Sequence, residues 1–348
     1  MLQSLIKKAQ GSLFTLLLLS LAIPINYAQA SEQEVNVYSA RKEQLIKPLL
    51  DEFSRDTGIK VNLITSKADA LLQRLQSEGA LSPADLLVTV DAGRLYRAKQ
   101  AGVLQPINDE NILNSVPKHL RDRDNDWIGL TTRARVIVYA KDRVDPQELS
   151  TYEALTDKKW HKRLCIRSSN NIYNQSLVAS MIAQQGEQAT QQWADALVKN
   201  FARKPKGGDR DQVMAVAAGQ CDIAVINTYY LGKMLSGLDE GQKQAAEKVA
   251  IFWPNQQGRG AHVNVSGIAL TKASKNKENA LKLIEFMLSE PAQAWYAETN
   301  NEYPAVEDVE WSPTLKNWGE FKSDALNLTE LGIYNAQAVK IMDRAGWR

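Results

Sequence analysis

Cysteine and histidine are nearly missing from this sequence, which holds two of the first and three of the second among 348 residues. The histidines, His119, His161 and His262, stand apart. None lies in an H-E-x-x-H arrangement, so the helix-borne zinc hydrolase pattern is excluded. A G-x-S-x-G elbow and a glycine-rich phosphate loop ending in Lys-Ser/Thr are absent too, which removes motif support for a hydrolase or a P-loop nucleotide enzyme. Charge of one sign is also lacking: Lys and Arg number 42 against 40 Asp and Glu. That balance gives no electrostatic footprint for nucleic acid. There is no low-complexity run, and beyond the first thirty residues no apolar stretch approaches a membrane-spanning length.

What is present begins with a leader pattern. Lys7 and Lys8 precede the apolar stretch Leu13 to Ile23, and Ala28-Gln29-Ala30 supplies small residues for a signal peptidase. The stretch is short for a membrane span and Pro24 interrupts its end. Residues 1–30 therefore read as a signal peptide directing the chain to the periplasm. No cysteine follows it to carry a lipid. Removing two lysines takes the formal charge from +2 to zero. The remaining chain is longer than one core usually serves, which argues for two lobes. An exported chain tends to pair its cysteines. Cys165 and Cys221 each fall at a predicted strand, so they either bridge neighbouring strands of one lobe or remain two buried thiols. Their spacing matches no zinc pattern.

From Val35 the chain alternates short apolar runs with helix-period segments. Strands are expected at 35–38, 60–64 and 85–90. The intervening helices place Leu45, Leu49 and Phe53, then Leu71, Leu72 and Leu75, on one face and end at Gly58 and Gly79. Asp91 is placed to cap the next helix. This rhythm predicts a parallel sheet covered by helices. Thr131 to Ala140 and His262 to Leu270 are β-rich and suited to cross between lobes, with a second α/β set between them. The expected organisation is a first lobe in two parts, 31–131 and 263–310, a second lobe over 132–262, and a helical segment over 311–348 packing on both. The fold class is α/β, two-lobed, with a ligand cleft between the lobes.

In open α/β sheets ligands collect at the carboxyl ends of strands, where helix N-termini also point. Three junctions there are expected to gather tyrosine and arginine: Tyr38-Ser39-Ala40-Arg41, Ser168 to Asn174 with Tyr173, and Asn227-Thr228-Tyr229-Tyr230. Adjacent phenols leaving a strand reach one small target only at a bend or helix start. A phenol is a poor base at neutral pH, but a hard, highly charged cation favours its deprotonated form. Three phenolates would balance a trivalent ion such as ferric iron and leave octahedral positions for a small anion. Arg41 and Arg133 are the candidates to hold that anion by paired hydrogen bonds, with helix N-terminal amides near Ser39 or Asn174 as further donors. The bland readings stand beside these. A Tyr-Tyr pair often lines a core or cleft, Arg41 alone is often a surface or salt-bridging residue, and Arg133 and Arg135 alternate on one strand in a pattern that leaves either free to be solvated. The residues alone reach a ligand cleft lined by tyrosine and arginine.

Several segments resemble the ferric-ion-binding proteins of bacterial ABC importers, which have the type II periplasmic-binding-protein fold. The carriers are Val37 to Arg41, Asp51 to Val61, Pro83 to Asp85, Ala101 to Leu104, Arg167 to Ser176, Asn227 to Gly232 and His262 to Gly267. The resemblance implies that Tyr173, Tyr229 and Tyr230 are ligands of Fe(3+) and that Arg41 and Arg133 hold a synergistic anion, carbonate first. It implies a monomeric, non-enzymatic periplasmic carrier serving an ABC transporter permease and its ATPase. Some members add a His or Tyr after the first strand, where this chain reads Arg41-Lys42-Glu43-Gln44. That departure implies ligands from one lobe only and leaves carbonate, phosphate and citrate open. The rival reading is a binding protein of the same fold for an oxyanion or small organic solute.

Overall fold

The computed structural model describes residues 33–348, and the expected leader lies outside them. Among the described residues there are ten strands: β1 (Glu34–Ser39), β2 (Lys60–Thr65), β3 (Leu86–Val90), β4 (Leu104–Gln105), β5 (Ile128–Ala140), β6 (Leu164–Cys165), β7 (Ile223–Asn227), β8 (Val249–Phe252), β9 (Val263–Thr271) and β10 (Tyr303–Pro304). Their order is β2-β1-β3-β9-β5-β7-β6, with β4 on β9 and both β8 and β10 on β5. The parallel expectation holds for β1 with β2 and β3 and for β6 with β7. The long β9 departs from it, running antiparallel to β3 and β5.

The thirteen residues of β5 are almost uniformly buried, as a strand covered on both faces must be. Its first half pairs with β9 up to Ala134, and from Arg135 it pairs with β7 and then β8. One strand thus serves both lobes, changing partner between Ala134 and Arg135. The return crossing lies beside it, where the Arg135 N–H donates to the His262 carbonyl at 2.9 Å just before β9.

Each lobe has its own apolar core. Val37, Leu50, Phe53, Leu86, Ile268 and Ile284 belong to the first. In the second, Ile137, Val178 and Ile223 pack on one side of the sheet and Val136, Ala224 and Val249 on the other. Leu328 and Leu331 of the C-terminal segment join the first lobe's core, while Ile341, Met342 and Trp347 join the second's. This is a two-lobed α/β fold. Among the described residues no helix is long and apolar enough to cross a membrane.

Local chemistry explains most boundaries. Gly58 closes the helix Lys47–Thr57 at φ 71°, a conformation that costs glycine little. Leu45 falls outside that helix, in a short 3₁₀ turn, because Pro48 fixes the helix start. Asp91 caps Ala92–Gln100 by accepting from the Gly93 N–H at 2.9 Å. Cys165, ending β6, is bridged to Cys221, just ahead of β7, with Cα atoms 5.8 Å apart and the two residues 56 positions apart in sequence. Closing a loop of that length contributes about 4 kcal/mol by restricting the unfolded chain.

Candidate functional site

Strand pairing brings the candidate residues together. Because β6 and β7 are parallel neighbours, the helices that follow them start side by side. Tyr173 is the second residue of the helix Ile172–Gln185, and Tyr229 and Tyr230 are the second and third of the helix Thr228–Leu235. The Tyr229 hydroxyl donates to that of Tyr173 at 3.1 Å, close enough for both oxygens to share one small cation. The rings of Tyr229 and Tyr230 lie 4.3 Å apart, tilted by 34°. All three tyrosines are half-buried. Tyr229 and Tyr230 thus stand at a helix start, the setting the sequence suggested for this pair.

The register of β5 supplies the arginine. Arg135 pairs with Asn227, the last residue of β7. Arg133, two residues earlier on the same face, therefore extends past the end of β7 toward the tyrosines. Its guanidinium carbon stands 5.9 Å from the Tyr173 ring centre. Arg133 is only 2% exposed, and its Nε, Nη1 and Nη2 are all buried with no hydrogen-bond partner. A buried cation without partners carries a desolvation penalty of several kcal/mol. Nearby Asp91 and Glu302 offset part of it through space, but neither satisfies its donors. Its free donors have the geometry to hold an anion with several oxygens.

Arg41 is placed differently. It is 5% exposed, and its Nη2 donates to Glu302 Oε2 at 2.9 Å, while its Nε has no partner. Thr131 Oγ1 also donates to Glu302, at 2.9 Å. One fork of Arg41 is thus committed to a carboxylate of its own lobe. Lys42 and Glu43 are exposed. Tyr38 stands apart from the triplet, its hydroxyl bonded to Glu78 at 3.0 Å. The junction after Ser39 opens no helix, so the expected donors there are missing: the Ala40 N–H goes to the Val88 carbonyl and that of Arg41 to Ser39 Oγ. The Asn174 N–H is spent on the Asn171 carbonyl.

Burial disfavours charged phenols at this point, although several cations stand close by. Burial, then neighbouring Tyr230, pushes the Tyr173 phenol up to about 12. Burial followed by Tyr173 and Tyr230 drives Tyr229 well above the ordinary phenol range, against a downward pull from Arg133. Tyr173 and Tyr229 are therefore neutral at ordinary pH. Positive groups surround them: Arg167 lies 5.6 Å from the Tyr173 ring centre and Arg210 6.0 Å from that of Tyr230. Burial and the charges of Arg41, Arg210 and Lys42 hold the Lys233 ammonium down to about 8, against the pull of Glu302. His262 is buried, and burial followed by Arg135 pushes its imidazole down to about 3, so it stays neutral.

Sequence reading missed the supporting acids and amides. Asp91 joins the lobes, accepting from Ser176 Oγ at 2.7 Å and Asn264 Nδ2 at 2.9 Å. Gly232, in the tyrosine-bearing helix, abuts Asn301 of the first lobe so closely that a Cβ would lie 2.6 Å from its side chain. Among the described residues the one cluster of potential acidic or imidazole metal ligands, Asp122, Asp124 and Asp126, is spanned by the Lys99 ammonium at 2.6, 2.6 and 3.1 Å.

Residues 49–323 match the family of bacterial extracellular solute-binding proteins. The chain belongs to that family. It is 51% identical to iron uptake protein A1 of Synechocystis over 325 residues, 93% of this chain and 90% of that one. The solved structure of Trichodesmium FutA in complex with iron and citrate ligands is similar at a TM-score of 0.89 and 48% identity, covering 90% of this chain and all of that one. Ferric iron-binding protein A of Mannheimia haemolytica in an open conformation is similar at 0.85 and 44% identity, covering 90% and 99%. The chain is thus a homologue of iron-binding transport proteins, and its family is one of solute binders rather than enzymes.

Proposed function

We propose that this protein captures ferric iron in the periplasm through the phenolates of Tyr173, Tyr229 and Tyr230 and delivers it to the permease and ATPase of an ABC importer. The observation that carries the reading is the juxtaposition of two phenol oxygens at 3.1 Å with a buried arginine whose three nitrogens lack partners. Similarity to proteins named for iron uptake and ferric iron supports the cargo.

Each residue then has a task. The tyrosines release their protons to the solvent as the trivalent cargo arrives, and three phenolates balance its charge. Arg133, poised over Tyr173, holds the synergistic anion through its free donors, and Arg41 adds its unpartnered Nε from the first lobe. Carbonate suits the planar fork of Arg133. The surrounding cations Arg210 and Lys233 also accommodate a polycarboxylate such as citrate, the ligand found with iron in the Trichodesmium relative. Contacts made from both lobes to the filled site favour the closed arrangement over an open one.

The test is metal analysis and a visible spectrum of the purified protein, with Tyr229→Phe/Tyr230→Phe beside it. The expected result is one ferric ion per chain and a phenolate charge-transfer band, both lost in the double variant. Unchanged ferric binding by that variant would refute the assignment. Binding of an oxyanion alone, with no iron and no colour, would favour the rival solute.

A further inference from the structure

We infer that Arg135 is the positioning residue of the site, the group that fixes the two tyrosine-bearing turns in one frame. This rests on the reading of the tyrosine triplet as the ferric site. Arg135 is 1% exposed and points the same way from β5 as Arg133, yet it reaches a different set of atoms. Its Nη1 donates to Asn227 Oδ1 at 2.9 Å and to Asp209 Oδ1 at 3.1 Å, and its Nη2 to Asn174 Oδ1 at 2.5 Å. Asn227 stands two residues before Tyr229, and Asn174 immediately follows Tyr173. One planar guanidinium therefore holds an amide from each turn.

Asp209 closes the frame. Wholly buried, in the first turn of the helix Asp209–Ala217, it accepts from the Asn227 N–H at 2.9 Å and from Arg167 Nη1 at 2.6 Å. Asn174 Nδ2 donates back to the carbonyls of Arg167 at 2.8 Å and Ser168 at 3.2 Å. Three separate loops are thereby tied to β5 at the point where it passes from one lobe to the other. A buried ion pair is a poor source of stability, because desolvation cancels most of the Coulomb gain. What the fork supplies is direction: donors fixed in one plane aim at two amides and a carboxylate. A lysine would offer one mobile ammonium and could not span them. The same hydrogen bonds occupy both Asn side chains and Asp209, so these groups are withheld from the cargo and leave it to the phenols.

The test compares the full chain with Arg135→Lys and with Arg135→Met/Asp209→Asn, which removes both members of that buried ion pair while leaving an amide oxygen for Arg167. The readouts are thermal melting, ferric affinity by competition with a chelator, and the wavelength of the phenolate band. Arg135→Lys is expected to weaken ferric binding about 10- to 100-fold, the usual effect of removing a support behind metal ligands, and to shift the band. The double variant is expected to recover melting without recovering the band or the affinity. Wild-type affinity and an unshifted band in Arg135→Lys, or recovery of all three properties in the double variant, would overturn the inference while leaving the tyrosine site standing. A wild-type chain with no ferric band would instead bring down the tyrosine reading and this inference with it.

Discussion

Replacing Arg133 by methionine separates its role in binding from any role in folding. Arg133 makes no hydrogen bond through any of its three nitrogens, so the substitution removes none and leaves an unbranched apolar side chain along the path of the arginine stem. Its ionic neighbours keep their own partners: Asp91 retains Gly93, Ser176 and Asn264, and Glu302 retains Arg41 and Thr131. Removing a buried charge whose donors have no partners relieves its desolvation, and this is offset by lost attraction to those two carboxylates. The iron-free variant should therefore melt at or slightly above the wild-type temperature. Loaded protein should respond in the opposite sense. Two charge-assisted hydrogen bonds from the fork to an oxyanion, each worth about 1.5–3 kcal/mol, amount to roughly a hundredfold or more in anion affinity. Ferric titration at increasing bicarbonate, followed by the visible band, measures this. Wild type should bind more tightly as bicarbonate rises, and Arg133→Met should show almost no dependence. A variant that unfolds without ligand, or that keeps the full bicarbonate response, would refute the reasoning.

Tyr229→Phe removes a phenolate and the bond to Tyr173 while keeping the ring against Tyr230, so the band should weaken and ferric affinity fall at least a hundredfold, with melting of the empty protein little changed. Because Tyr173 and Tyr229 hold their protons more firmly than free phenols, loading must release protons, and apparent affinity should fall as pH is lowered; calorimetry in buffers of different ionisation enthalpy counts them. Away from the cleft, Asp85 is buried. Burial alone would raise its carboxyl, but hydrogen bonds from Asn276, Asn36 and Ser274 hold it below the ordinary range. Its contribution is complete above the unfolded carboxyl value and is lost as pH falls through the depressed native one. Asp85→Asn, which turns an amide toward donors now facing a carboxylate, should cost about 3 kcal/mol near neutrality and flatten the acid limb of a stability profile measured by denaturant unfolding.

Local signals carried much of this molecule. Glycines at 58 and 79 and the cap at Asp91 mark helix ends by local geometry, which needs no tertiary partner. The tyrosine junctions were legible because a strand followed at once by a helix leaves little choice in where neighbouring side chains point. Long-range partners were not legible. Arg41 looked like a free anion donor until the fold brought Glu302, 261 residues away, to one of its nitrogens. Arg135 looked interchangeable with Arg133, since their alternation places both on one face, and only the antiparallel register with β7 shows that one is fully engaged and the other is bare. The short strand β8 escaped notice because four residues cannot display a period. The antiparallel course of β9 escaped because hydrophobic pattern does not encode direction.

The most direct measurement is a titration of the purified iron-free protein with a ferric chelate, in bicarbonate and without it, followed by visible absorbance and metal content. A band growing to one equivalent of iron per chain, sharpened and tightened by bicarbonate, is the expected result. A colourless protein that takes up no ferric ion under either condition would contradict it.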